Sequence, residues 1–399
     1  MTIEMSEAAT ANRLLAELVE AQSPNPPGDE RRVAAVIDRA AAALGLPPPA
    51  CHARDPARPN LIMTLGGGSP NLLLCAHMDT VPLGNVASWR TDPYRLAQVD
   101  GRLAGLGTAD MKAAIVAMLL AAVRIAKRPE SDGTLTLVFC ADEENGSAYG
   151  MQWLAESGLL KADAAAMMEP SGLEAASWQQ LFVAQRGHCV AWLVARGEPG
   201  HSGAPVPGER RASAAFARAL MALIEVDPFP EWSHSVDGTR PTANVATMVQ
   251  GGMIPFAHPE SLRACLEIRT LEGMTEAGVH GRLHEIIARA GLADRVTIEP
   301  AAPPINWIPP GDTVRDQRLL GAARRAWRQV LGWTPVEAVM PGVTDSTHAN
   351  AAGMPAFPAF GPGSLAVAHR PNESIPTDDL MKSVDLFETF VRSYHRGEL

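Results

Sequence analysis

The chain has 399 residues, enough for two domains with sizeable cores, and its 46% hydrophobic and 20% charged content is that of a globular rather than a disordered protein. Acidic residues outnumber basic ones by 44 to 34, a formal charge of -10, and no basic block occurs, which argues against nucleic acid or an anionic membrane as partner. Met1–Glu20 lacks the features of a signal peptide, and the longest apolar run, Ala113–Val123, falls short of the roughly 20 residues of a membrane span, so a soluble cytoplasmic protein is expected.

Helical periodicity over residues 12–20 and 30–45 is interrupted by a Pro/Gly break at Ser23–Gly28. Short apolar runs follow, each leading into polar residues: Asn71–Ala76 into His77 and Asp79, Thr134–Cys140 into Asp142, Glu143 and Glu144, and Ala164–Met168 into Glu169. Between the first two, Met111–Lys127 reads as a buried helix with Asp110 at its start. Strands alternating with helices predict an α/β sheet, whose sites form outside the carboxyl ends of strands.

From about residue 181 the rhythm changes. A strand (Phe182–Ala195), a helix (Glu209–Val226), two strands (Ala243–Val249 and Ser261–Thr270), a helix (Thr275–Ala290) and a strand (Arg295–Glu299) follow in turn. That β-α-β-β-α-β order predicts a ferredoxin-like unit inserted into the first domain. The Pro-rich stretch Pro300–Pro310 returns the chain, and helices at Asp316–Leu331 and Thr377–Arg396 complete the outer domain. The expected division is 1–180 with 301–399 for the outer domain, and 181–300 for the insert.

Cys51, Cys75, Cys140, Cys189 and Cys265 are odd in number and lack metal-clip or redox-pair spacing. They read as small core residues in a reduced compartment, with Cys75, Cys140 and Cys265 inside runs that resemble buried strands. The tryptophans, Trp89, Trp153, Trp178 and Trp192 among them, read as core or interface anchors.

His77, Asp79, Asp110, Glu143, Glu144 and Glu169 follow strands or start a helix, and His369 follows the apolar stretch Met354–Phe360 and a Gly-Pro-Gly loop. Each has a simpler explanation in isolation, such as a helix cap for Asp110 or a solvated loop for Glu143 and Glu144. Together, that many carboxylates at adjacent strand ends would repel one another unless cations neutralised them. Two imidazoles with carboxylates suit zinc, cobalt or manganese better than magnesium or calcium. Adjacent Glu143 and Glu144 allow one carboxylate on a metal and one on water, so the residues point to a metal-assisted hydrolase.

The segments LLLCAHMDTVP, GRLAGLGTADMK, VFCADEENGS, MMEPSG, GEPGHSGAP and AHRPNE occur in order along essentially the whole chain. Together they resemble the signature set of a zinc-dependent metallopeptidase family containing acetylornithine deacetylase, succinyl-diaminopimelate desuccinylase and glutamate carboxypeptidase. The resemblance implies a mixed-sheet catalytic domain with an inserted ferredoxin-like lid that also serves dimerisation. It implies two divalent ions, zinc foremost, with His77 and Glu169 on one, Glu144 and His369 on the other, and Asp110 bridging both. Asp79 would hydrogen-bond the far nitrogen of His77, and Glu143 would be the general base. The peptide bond after Asp110 would be cis. His201 would donate to the developing oxyanion, usually from a partner subunit, and Asn244 and Arg269 would hold a substrate carboxylate.

Departures from the pattern fall at the rim and the lid. Gly105-Leu106-Gly107 stands for Gly-Arg-Gly, Phe256 for an asparagine, and Gly342-Val343-Thr344-Asp345, followed by His348, for Gly-Gly-Thr-Asp. The expected reaction is hydrolysis of an amide bond in a small carboxylate-bearing substrate, an N-acyl amino acid before a C-terminally cleaved peptide. A non-catalytic, metal-retaining binder of amino-acid derivatives and an oligomeric scaffold are the rivals from other classes, and retention of Glu143 and His201 argues against the first.

Overall fold

A computed structural model describes residues 6–128, 133–174, 176–203 and 205–398. The fold is mixed α/β. The chain divides into two compact units, one comprising residues through Ala184, Asp312–Met340 and Thr344 onward, the other Gln185–Gly311 with Pro341–Val343.

In the first unit, six strands lie side by side in the order Ala50–His52, Asn60–Gly67, Gly133–Cys140, Asn71–His77, Ala164–Met167 and Ala356–Phe357. Pairing is antiparallel at the first two junctions and parallel from Gly133–Cys140 onward. The three central parallel strands are buried almost throughout, which is why they read as continuous apolar runs rather than alternating ones. Parallel pairing sets their carboxyl ends at one edge, where His77 ends its strand and lies opposite Cys140.

The helix Ala113–Lys127 is buried from Ala113 to Val123, consistent with its Ala-, Leu- and Met-rich sequence. Helices Gln317–Leu331 and Thr377–Arg396 pack an aromatic cluster in which Phe360 stacks on Phe357, contacts Phe387 and Phe390, and meets Trp327 edge-on. Trp178 is buried with its indole N–H donating to the Phe360 carbonyl, as a core anchor should be.

In the second unit the order is strand Gly187–Arg196, helix Ala212–Glu225, strands Thr242–Gly251 and Ser261–Thr270, helix Glu276–Arg289 and strand Val296–Pro300. The strands lie in the order Thr242–Gly251, Ser261–Thr270, Gly187–Arg196, Val296–Pro300, all antiparallel. Two expectations change here. The single strand expected over Phe182–Ala195 is two, because the ladder breaks at Arg186 and Leu181–Gln185 pairs instead with Glu337–Met340. Cys265 is half-exposed, since Ser261–Thr270 alternates buried and accessible positions and Cys265 takes an outward one. Among the described residues no helix is long and apolar enough to cross a membrane.

Candidate metal centre

His77 Nδ1 lies 3.0 Å from the main-chain oxygen of Asp79. Donation there leaves the Nε2 lone pair facing Asp110 Oδ1 at 2.9 Å and Glu169 Oε1 at 3.8 Å. The other Asp110 oxygen lies 3.1 Å from His369 Nε2, which is also 3.1 Å from Glu144 Oε2. Asp110 thus stands between two clusters, His77–Asp110–Glu169 and Asp110–Glu144–His369, each with donor atoms within 4.8 Å of one another. His77, Asp110 and Glu169 are buried, Glu144 and Glu143 half-buried, and His369 exposed. His369 has φ 58, which turns the loop at that residue, and the Asp110–Met111 peptide bond is cis.

The electrostatics of this group call for cations. Burial pushes the carboxyl groups of Glu143 and Glu169 well above their usual range, and that of Glu144 up as well, reinforced by neighbouring carboxylates. Burial would depress His77, yet Glu169, Asp110 and Asp79 hold it well above 6.5. Hydrogen bonds to Asp110 and Glu144 push His369 to about 11, and the two histidines hold Asp110 low despite its burial. Protons here occupy places that divalent ions would fill, and the donor set of imidazole and carboxylate fits borderline metals such as zinc, cobalt and manganese.

Asp79 faces His77 Nδ1 with two oxygens, the main-chain one at 3.0 Å and a carboxylate one at 3.5 Å. The carboxylate also accepts the backbone N–H groups of Glu143 and Glu144, both at 3.2 Å, and the Asn25 amide at 2.8 Å. It therefore orients the turn that presents both glutamates, while the strand end orients the imidazole.

That turn has a deeper support that sequence reading did not find. Asn25 Nδ2 also donates to Asp142 at 2.9 Å, Asp142 accepts from Arg58 at 2.9 Å, and Arg58 grips buried Glu30 through Nε and Nη2. The Ser23–Gly28 break was the available signal: it holds Asn25 and two cis prolyl bonds. The structure also brings Cys75 and Cys140 Sγ to 3.6 Å on adjacent parallel strands, with Asp345 Oδ2 3.1 Å from Cys140 and Ser147 on the other Asp345 oxygen.

His201, Asn244 and Arg269 lie in the second unit. His201 is exposed in a two-residue strand paired with Ala257, and its Nδ1 accepts from the Gly203 N–H at 3.0 Å. Ala204 of its motif lies outside the described residues, as do Met1–Met5. Asn244 and Arg269 converge on Glu267, with Nδ2 and Nε each 2.5 Å from one of its oxygens.

Residues 73–393 match the model of peptidase family M20/M25/M40. The chain belongs to that family. It is a metallopeptidase-family enzyme, a hydrolase of peptide or amide bonds. Solved structures share the fold over nearly the full length. An M20 family metallo-carboxypeptidase from Sulfolobus solfataricus is 20% identical with a TM-score of 0.76, covering 98% of this chain and 100% of its own. The aminopeptidase PepT from Bacillus cereus is 21% identical with a TM-score of 0.72, covering 97% and 98% respectively. The YXEP protein of Bacillus subtilis, described as a dinuclear metal-binding M20 peptidase, is 16% identical with a TM-score of 0.67, covering 97% and 98%.

Proposed function

We propose that this M20 enzyme is a two-metal amidohydrolase of the deacetylase and carboxypeptidase branch that removes the acyl group from an N-acyl amino acid. The observation that carries the reading is Asp110, whose two oxygens each face one histidine Nε2, at 2.9 and 3.1 Å. His77 and Glu169 would hold one ion, Glu144 and His369 the other, and Asp110 both. Bound there, zinc-type ions would lower the pKa of water and polarise the scissile carbonyl.

Glu143 takes the proton from the attacking water and delivers it to the leaving amine. Asp79 keeps the Glu143–Glu144 turn and the His77 strand end in register. His201 donates to the developing oxyanion. Asn244 and Arg269, tied together by Glu267, receive the substrate carboxylate, for which the planar guanidinium is suited.

The second unit serves as a ferredoxin-like lid and as the interface of a homodimer. Supporting this, Thr242–Gly251 is an edge strand, and Met248, Val249, Met253, Ile254 and Phe256 on and beside it are exposed. Release of a C-terminal residue from a small peptide is the second reading, favoured by the likeness to the Sulfolobus metallo-carboxypeptidase.

Elemental analysis with a hydrolysis screen tests the reading. About two zinc, cobalt or manganese ions per chain are expected, with activity lost on chelation, restored by metal, and higher on N-acetyl amino acids than on dipeptides. Preference for dipeptides would favour the peptidase, and metal-loaded protein inert on both panels would return the non-catalytic binder.

A further inference from the structure

Glu373 is 1% exposed, yet its carboxylate makes no part of either donor cluster. It sits where register puts it. The strand Ser374–Pro376 pairs antiparallel with Arg102–Ala104, Ser374 opposite Ala104, which delivers Glu373 beside the turn that starts at Gly105. Its main-chain oxygen accepts the Gly105 N–H at 3.0 Å. Its carboxylate then accepts three more backbone N–H groups: Gly107 at 3.0 Å on Oε2, and Ala109 at 2.8 Å and Asp110 at 3.0 Å on Oε1.

Backbone N–H groups that converge in this way favour negative charge, and they oppose the burial and the Asp110 charge that push the Glu373 carboxyl up to about 8. Gly107 makes the convergence possible, with φ 81 and no room for a Cβ, which would come within 2.8 Å of Thr80 Cγ2. Buried Lys112, whose Nζ donates to the Ala21 carbonyl, adds attraction. Four residues before Glu373 on the same loop is His369, which faces the second oxygen of Asp110.

We propose that Glu373 is a positioning residue that fixes the backbone of Asp110, and so sets the affinity of the chain for both ions. The inference rests on the reading of Asp110 as the ligand common to two ions. A carboxylate shared by two ions must present each oxygen in a defined direction, and a side chain can do so only if its own backbone is held. Glu373 holds that backbone directly through the Asp110 N–H, and couples it to the His369 loop through a short covalent path. A ligand whose supporting hydrogen bonds are removed typically loses about 10- to 100-fold in metal affinity.

The test is Glu373→Leu in the full chain, with Zn²⁺ and Co²⁺ affinities measured by competition against a chelator of known strength. Leucine is a similar size but accepts none of the three N–H groups, including that of Asp110. Expected are dissociation constants raised about 10- to 100-fold at both sites, an altered Co²⁺ absorption spectrum, and kcat recovered by excess metal with KM unchanged. A fold defect alone would lower the melting temperature without that recovery. Unchanged metal affinity in a folded variant overturns the role of Glu373.

Should the variant fail to fold, amide hydrogen exchange on the metal-free wild-type chain gives the answer. Ala109 and Asp110 are expected to stay protected without metal, because Glu373 and not the ions holds them, and free exchange overturns the inference. A wild-type chain that bound no divalent ion would instead bring down the two-ion reading on which the inference rests.

Discussion

Glu143 and Glu144 are adjacent in sequence but differ in surroundings. Glu144 is paired with His369 at 3.1 Å, whereas the carboxyl of Glu143 is pushed up by burial and by the charges of Asp345, Glu144 and Asp110, with His77 opposing. A base and a ligand can therefore stand side by side. Glu143→Gln is expected to keep both ions and to lower kcat by about 10²- to 10⁴-fold with little change in KM. Steady-state kinetics with metal analysis of the same sample check this, and full activity with ions bound would remove Glu143 from the reaction. Arg58 makes a second demand at this scale, since it spans Glu30 and Asp142, with side chains 7%, 0% and 2% exposed. Arg58→Met would remove the cation from both carboxylates; Glu30, which burial already pushes up to about 7, would take up a proton, so denaturant unfolding should show a loss of roughly 3 kcal/mol, the low end for breaking a buried pair.

At the level of elements, the strands that end in chemistry were legible because each is an apolar run closed by a charged residue. His77, Glu143, Glu144 and Glu169 could thus be read as strand-end residues before any geometry was known. What was not legible depends on register. Nothing in the spacing of Asn25, Asp79 and Asp142 says that one amide bridges the two carboxylates, and only parallel pairing puts Cys75 beside Cys140. Likewise the break at Arg186 is a matter of which neighbour each half of an apolar run finds. Register also makes a testable glycine. Gly361 pairs with Pro170, and a Cβ there would lie 1.9 Å from the Met168 carbonyl and 3.0 Å from that of Glu169. Backbone cannot yield as a side-chain tip can, so Gly361→Ala should displace Glu169. The expected result is loss of the ion held by His77, Asp110 and Glu169, together with a lower melting temperature, read by metal stoichiometry and calorimetry. A variant with both ions in place would show that the Met168–Glu169 segment adapts.

For the whole molecule, two compact units with separate cores should answer to different conditions. Ions that bind the folded first unit and not the unfolded chain stabilise by mass action, about 2.7 kcal/mol per site at a hundredfold excess over Kd. Chelation should therefore speed amide exchange first in the strands Asn71–His77, Gly133–Cys140 and Ala164–Met167. The second unit should answer to acid. Burial lowers the pKa of His188, with nearby Arg269 lowering it further and Glu267 opposing, and burial likewise lowers His280, with His284 adding and Glu276 opposing. His188 Nε2 sits 3.1 Å from the Ile305 carbonyl, and His280 Nε2 3.7 Å from Cys189 Sγ. A histidine whose folded pKa is depressed stays neutral while the unfolded chain takes up its proton. Below the usual 6.5 the unfolded state thus binds more protons, so stability falls as pH falls through and below that value. Amides of Gly187–Arg196 and Glu276–Arg289 are accordingly expected to exchange faster at pH 5.5 than at 7.5 once intrinsic rates are divided out. His188→Gln, which removes the proton site and keeps a hydrogen-bonding side chain, should flatten part of that dependence. Protection in this unit that is indifferent to pH over the same range would show that neither histidine titrates differently between the folded and unfolded chain.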